Sequence, residues 1–258
     1  MQNYQIARRA QIGVLIPSTN TGVEYDLQKF ALDGVTWHPS RFLIRLRNWA
    51  EEGEASGDDA NTVFERFLDL MREDMTPAIE NVLTAKISHL MLGMSAETFW
   101  GGTKGNVEFE KNIQDQIGDL GMTTGAGATR MALDNFGVKK ISVITPYPPI
   151  GDDNVRQFFD EIGYEVKHVV GLNCASATAI AETPIKDVIE AVKKADGDDV
   201  EAIVQCGTNL STVDLFPTLE HWLEKPMLPI NVATIWHALR ACGINDKITG
   251  KGRLLEEF

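Results

Sequence analysis

The feature that most constrains this sequence is a set of short, almost continuous apolar runs: GVLI at 13–16, HLML at 89–92, ISVIT at 141–145 and AIVQC at 202–206. A strand with one wet face alternates apolar and polar residues. A strand covered on both faces has no such need, and that pattern marks a parallel sheet sandwiched by helices. Strands are expected at 11–16, 35–44, 87–93, 122–125, 140–145, 165–172, 202–206 and 227–230. Between them the period changes. Residues 60–86 set Phe64, Phe67, Leu68, Met71, Ile79 and Val82 at helical spacing, and 153–162, 185–195 and 215–223 behave alike. The run GEASGDDAN at 53–61 reads as a loop. Such alternation implies right-handed βαβ units, so the expected fold class is α/β with doubly wound parallel sheets.

The chain also echoes itself. IGVLIPSTN at 12–20 returns half a chain length later as ISVITPYPP at 141–149, and HLMLGMSAETF at 89–99 returns more loosely as AIVQCGTNLST at 202–212. Each time an apolar strand runs into a small polar loop. Two similar lobes related by a pseudo-two-fold axis are therefore expected, one from residues 1–122 with 229–258 and one from 123–228. Open α/β sheets bind ligands at the C-terminal ends of their strands, which places the site in the cleft between the lobes.

Composition narrows the function. The 258 residues are 43% hydrophobic, enough for a sizeable core, and carry a net charge of −13. That charge repels a phosphate backbone and an anionic membrane surface, so neither nucleic acid nor membrane is expected as a partner. No apolar run nears the roughly 18 residues of a membrane span. The apolar stretch near the N-terminus reads as the first strand rather than a signal peptide. Three cysteines without a CxxC pair fit a reducing, cytoplasmic setting. His38, His89, His168, His221 and His237 show no metal-ligand spacing, so no metal is expected. GGTKG at 101–105 and GAGATR at 125–130 lack the spacing of nucleotide loops. Arg41, Arg45 and Arg47 form a basic cluster, read as solvated or ion-paired, with steering of an anionic substrate as the alternative.

Several residues could carry chemistry. Cys206 closes a strand and is followed by Gly207, Thr208 and Asn209, with a helix expected to start near Ser211. A thiol between a strand end and a helix N-terminus meets backbone N–H groups and a positive dipole end, which favour thiolate. The competing reading is a small buried hydrophobe. Cys242 reads as packing in the last helix, and Cys174 is a weaker candidate. Gly93 permits close approach of a ligand, and Ser95 offers a hydroxyl. Asn20, Tyr147 and Asn173 could each donate to a carboxylate, against the alternative of turn chemistry.

A PSTN loop after the first strand, a GMS loop after the third, a Tyr loop after the fifth and a Cys-Gly loop after a late strand together resemble the aspartate/glutamate racemase superfamily. The likeness is to its arylmalonate decarboxylase and maleate cis-trans isomerase branches in particular. PSTN, GMSAETFWGG, GVKKISVITPY and QCGTNLSTVDLFPTLE carry the resemblance, which covers most of the chain in order. Racemases and isomerases set two cysteines across the cleft. Cys206 matches the second, and the first falls at Gly93, as in the decarboxylase branch. Met94 stands where that branch has Thr, whereas Asn20 and Asn173 look more like the isomerase branch.

The resemblance implies a cofactor-independent enzyme acting on a small dicarboxylate. Its substrate would be an α-substituted malonate, with Cys206 protonating an enediolate and Asn20, Gly93, Met94, Ser95, Tyr147, Asn173 and Gly207 around it. A maleate-type cis-trans isomerase using Cys206 as nucleophile is the alternative. An amino-acid racemase or a non-catalytic organic-acid-binding protein stands further off. A homo-oligomer is compatible with the sequence.

Overall fold

A computed structural model describes residues 5–46 and 48–258. The first sheet holds β1 (Ala10–Pro17), β2 (Val35–Phe42), β3 (His89–Leu92) and β4 (Met122–Thr123) in the order β2-β1-β3-β4. The second holds β5 (Lys140–Thr145), β6 (Glu165–Gly171), β7 (Ala202–Gln205) and β8 (Met227–Pro229) in the order β6-β5-β7-β8. Every strand pair among the described residues is parallel. The second sheet thus repeats the strand order of the first, as the echoed segments imply.

The equivalence reaches single residues. Leu15 stands opposite Leu92 in the first sheet and Ile144 opposite Gln205 in the second. One residue further on, the Gly93 N–H donates to the Leu15 carbonyl and the Cys206 N–H to the Ile144 carbonyl, both at 2.8 Å. Gly93 and Cys206 therefore occupy matching places in the two sheets.

The helices in chain order are α1 (Gly22–Gln28), α2 (Trp49–Ser56), α3 (Ala60–Leu83), α4 (Ala96–Phe99), α5 (Gly102–Ile117), α6 (Gly125–Phe136), α7 (Pro149–Glu161), α8 (Ile185–Ala195), α9 (Phe216–Leu223), α10 (Ile230–Ala241) and α11 (Arg253–Glu257). Strands β1, β3 and β7 are almost wholly buried, as their unbroken apolar runs require. Helix α3 buries Val63, Phe64, Phe67, Leu68, Met71 and Met75 along one stripe and packs on β1 and β2. Each such side chain contributes about 1.5–3 kcal/mol on leaving water. The helices that follow the last strand of each sheet, α6 and α10, pack on one another, and α10 also lies against β3. No helix among the described residues is long and apolar enough to cross a membrane.

Some boundaries differ from the expected ones. The stretch 53–61 is not one loop. Helix α2 runs to Ser56 because the Asn48 side chain accepts the N–H groups of Ala50 and Glu51 and Gly57 closes the helix at φ +80°; α3 starts at Ala60 on an Asp59 cap. Strand β4 stops at Thr123, since Thr124 turns to cap α6 through the Gly127 N–H. The glycine-rich GGTKG and GAGATR segments lie at the starts of α5 and α6.

Candidate active site

Four loops meet at the C-terminal ends of the two central strands of each sheet: Ser18–Asn20 after β1, Gly93–Ser95 after β3, Pro146–Pro148 after β5 and Cys206–Asn209 after β7. Residues from all four line one pocket with an empty volume of about 490 Å³, its open mouth included. Asn20, Ser95, Tyr147, Thr208 and Asn209 give it a polar side. Trp49, Phe64, Phe67, Met71, Met94 and Ile180 give it an apolar wall. Among the described residues, no Lys, Arg, His, Asp or Glu is in its lining.

The polar side is a connected network. Ser95 Oγ and Tyr147 Oη are 2.8 Å apart, and the Thr208 N–H donates to Ser95 Oγ at 3.2 Å. Thr208 Oγ1 accepts from Asn20 Nδ2 at 2.9 Å and donates to the Gly93 carbonyl at 3.3 Å. Asn20 Oδ1 takes the Val23 N–H, and Asn209 Oδ1 takes the N–H groups of Thr21 and Gly22. Asn20 and Asn209, from loops of opposite sheets, thus share the capping of α1, whose own Thr21 side chain makes no cap.

Tyr147 sits on a proline-bracketed loop with its ring 5.8 Å from that of Phe64. Burial, then the neighbouring Cys206 and Asp152, push its phenol far above the ordinary range. It is a neutral donor at any working pH.

Cys206 is fully buried and lies one residue before Gly207, outside the pocket lining itself. The expected helix at Ser211 is absent. Residues 206–215 form a loop, and α9 begins only at Phe216. The thiol therefore lacks the helix end that would favour thiolate. Burial pushes its pKa far up, and the charge of Asp152 pushes the same way. The resting group is a neutral thiol. Gly207 follows at φ +97°, and a Cβ there would collide with the Pro146 ring, so only glycine lets the Cys-Gly turn pass the tyrosine loop.

The remaining candidates are placed as follows. Gly93 is buried and outside the pocket lining, with the space for a Cβ bounded by Leu15 O at 3.1 Å and by Ile16 and Val23 at 3.2 Å. Asn173 is exposed at φ +47° and does not line the pocket. Arg41 pairs with Glu24, and Arg45 with Asp74 at 2.7 Å, both away from the pocket lining. Arg47 lies outside the described residues. Cys174 and Cys242 are half-buried. Among the described residues no group of three or more His, Cys, Asp or Glu could hold a metal ion.

The family model for arylmalonate decarboxylase matches residues 64–255. The chain belongs to the arylmalonate decarboxylase family. Relatives of this family member carry two different names. A maleate isomerase of Alcaligenes faecalis is 21% identical over 95% of this chain and 96% of its own. An arylmalonate decarboxylase of Bordetella bronchiseptica is 25% identical over 62% of this chain and 68% of its own. The maleate cis-trans isomerase of Nocardia farcinica, solved as a variant with a covalently bound succinylcysteine intermediate, superposes with a TM-score of 0.82 at 20% identity, covering 96% of this chain and 99% of that one.

Within this arylmalonate decarboxylase family member, the roles of Thr208 and Asn209 were not apparent from the sequence, although they directly follow Cys206-Gly207. Gln205 was equally silent. Its Nε2 donates to the carbonyls of Cys206 and Gly207, the latter at 2.9 Å, and ties the turn from below. The aromatic wall carries no separate signal, because Phe64, Phe67 and Met71 read as an ordinary core stripe.

Proposed function

We propose that the chain is a cofactor-independent decarboxylase of a small α-substituted malonate-type dicarboxylate. The observation that carries this reading is the division of the pocket: neutral hydrogen-bond donors on one side, an aromatic and aliphatic wall on the other, and no charged side chain among the described lining residues. One substrate carboxylate would meet Ser95, Tyr147 and the backbone around Thr208. The second would face the apolar wall with the α-substituent. Loss of CO2 breaks the C–C bond and leaves its electron pair on the retained carboxylate as an enediolate. Preorganised neutral donors stabilise that charge where water is excluded. Cys206 would then give its S–H proton to the α-carbon and recover one from solvent. A thiol that is neutral at rest suits a proton donor. This reading takes residues 1–122 with 229–258 as one lobe and 123–228 as the other, with the substrate between them.

A maleate-type cis-trans isomerase is the second reading. The near-full-length likeness to maleate isomerases and the presence of Asn20 in the pocket favour it. It needs Cys206 as a thiolate that adds to the alkene and leaves after rotation. Incubation with aryl- and alkylmalonates and with maleate separates the two. CO2 release from a malonate supports the decarboxylase, and fumarate formed from maleate supports the isomerase. A folded protein that does neither, and whose Cys206 no small diacid protects from alkylation, refutes both.

A further inference from the structure

Beside the loop that carries Thr208 and Ser211 lies a buried carboxylate that the proposed chemistry does not use. Asp26, on α1, is 1% exposed. Its Oδ1 accepts from Ser211 Oγ at 2.5 Å and its Oδ2 from Asn231 Nδ2 at 2.7 Å. The same Asn231 nitrogen donates its other hydrogen to the Thr208 carbonyl at 2.8 Å. Thr208 then holds Ser95 Oγ through its N–H, and Ser95 meets Tyr147. One unbroken chain of hydrogen bonds thus runs from α1, through the first turn of α10, to the donors that line the pocket.

The arrangement is costly for mere packing. A carboxyl group removed from water without a cation partner is destabilising, and an apolar residue would fill the space at less cost. Burial pushes Asp26 up to about 6, against the hydrogen bonds from Ser211 and Asn231; Asp214 raises it further and Lys251 lowers it. What Asp26 supplies is direction. The Asn231 amide has a donor end and an acceptor end of the same shape. Asp26 presents an oxygen to it in either protonation state, since the proton of the neutral form can turn to Ser211 Oγ. The NH2 end is thereby held against the Thr208 carbonyl. A reversed amide would set two oxygens face to face and push the loop away.

We propose that Asp26 is a positioning residue which, through Asn231 and Ser211, fixes the 206–211 loop so that the Thr208 N–H holds Ser95 and Tyr147 ready for the substrate carboxylate. The role at the substrate rests on the carboxylate-activating reading of the pocket. The effect on the loop does not.

The test compares the parent with Asp26→Ala, Asp26→Asn and Asn231→Ala, by amide hydrogen exchange resolved to peptides and by kinetics on whichever malonate the parent turns over. In Asp26→Ala, exchange at 206–211 should rise about tenfold or more while β1, β3 and β5 keep their protection. Its kcat should fall roughly 10–100-fold, the usual scale for a supporting hydrogen-bond partner, with KM within about threefold. Asp26→Asn can offer its oxygen to Asn231 and its NH2 to Ser211, so both readouts should return to within about threefold of the parent. Asn231→Ala should reproduce Asp26→Ala, and it decides the matter if Asp26→Ala does not fold. Unchanged exchange at 206–211 in a folded Asp26→Ala or Asn231→Ala protein overturns the proposal. So does an Asp26→Asn protein as impaired as Asp26→Ala. A parent without activity on any diacid would refute the functional reading, and the exchange measurement would still decide what Asp26 does to the loop.

Discussion

Ser95 Oγ and Tyr147 Oη stand 2.8 Å apart although their loops leave different sheets, one after β3 and the other after β5. The two hydroxyls bridge the cleft at the polar side of the pocket. Because the phenol is held neutral by burial, the pair offers hydrogen bonds without bringing charge.

Tyr147→Phe and Ser95→Ala should therefore each slow turnover by roughly 10–10³, the scale of losing one donor to a developing oxyanion. Melting temperature should barely move in Tyr147→Phe, since the Phe64 contact keeps the ring of residue 147 in place, whereas Ser95→Ala leaves the buried Thr208 N–H without its acceptor and should cost about 1–3 kcal/mol. A large fall in Tm with an intact specific rate would assign these hydroxyls to structure instead.

Cys206→Ser should lose at least about a hundredfold in rate, because a hydroxyl is a far weaker acid and nucleophile than a thiol. Cys174→Ser and Cys242→Ser should leave the rate within about twofold, since neither adjoins a lining residue as Cys206 adjoins Gly207: Cys174 Sγ lies 3.6 Å from Thr183 Oγ1 and Cys242 ends α10. Initial rates of CO2 release check all three. Near-normal turnover by Cys206→Ser would contradict both proposed reactions.

Asp152 gives a pH-dependent prediction. It lies in the first turn of α7, accepts from Thr145 Oγ1, and is pushed up to about 6 by burial. Between about pH 4 and 6 the folded state holds more protons at this carboxyl than the unfolded chain does. Its contribution to stability therefore falls as pH rises through that window and is flat above it. Asp152→Asn should raise Tm relative to the parent at pH 7.5, with the gap closing by pH 4. Removing the charge should also lower the pH at which Cys206 becomes alkylated, since Asp152 raises the thiol pKa. A variant with lower Tm at pH 7.5 and a more reactive thiol would indicate loosening rather than the loss of a charge.

Gly93→Cys should place a second thiol at the position matching Cys206. Leu15, Ile16 and Val23 must give by a few tenths of an ångström to admit its Cβ, and overpacking of this kind costs about 1–3 kcal/mol. In the folded variant, two acid–base groups on opposite lobes should exchange the α-proton of the monoacid product with deuterated water, which the parent should not do. Mass spectrometry of product held in deuterium oxide measures it. No exchange above the parent in a folded variant with its second thiol free would mean that the two positions do not face one substrate carbon.

The sheets were legible because buried parallel strands write unbroken apolar runs, and GVLI, HLML, ISVIT and AIVQC fall on the central strands β1, β3, β5 and β7. The helix boundaries were less so. Residues 53–56 look like loop until the Asn48 cap and the Gly57 stop are known, and the serine at 211 resembles a helix cap only until its hydroxyl is seen on Asp26. Of the pocket lining, Ser95, Tyr147, Asn20 and Gly207 were accessible as polar or glycine loop residues next to strands. Asn173 fits the same description yet stays in solvent: β6 is an edge strand, and the segment after it reaches the pocket only further on, through Ala177 and Ile180. Asp26, Gln205 and Asn231 were invisible, since their partners are far away in sequence or mean nothing until the loop is folded.

The matching of Gly93 with Cys206 has a consequence for the ancestry of such a chain. Two identical half-length chains could build the same pair of sheets only as a symmetric dimer. Every position would then occur twice, and the cleft would hold two thiols or none. A thiol at one of two matching positions and a glycine at the other is open only to a covalently joined pair whose halves have been free to diverge. In the proposed decarboxylation, fusion would be what lets a proton arrive from one side only and a product of one hand result.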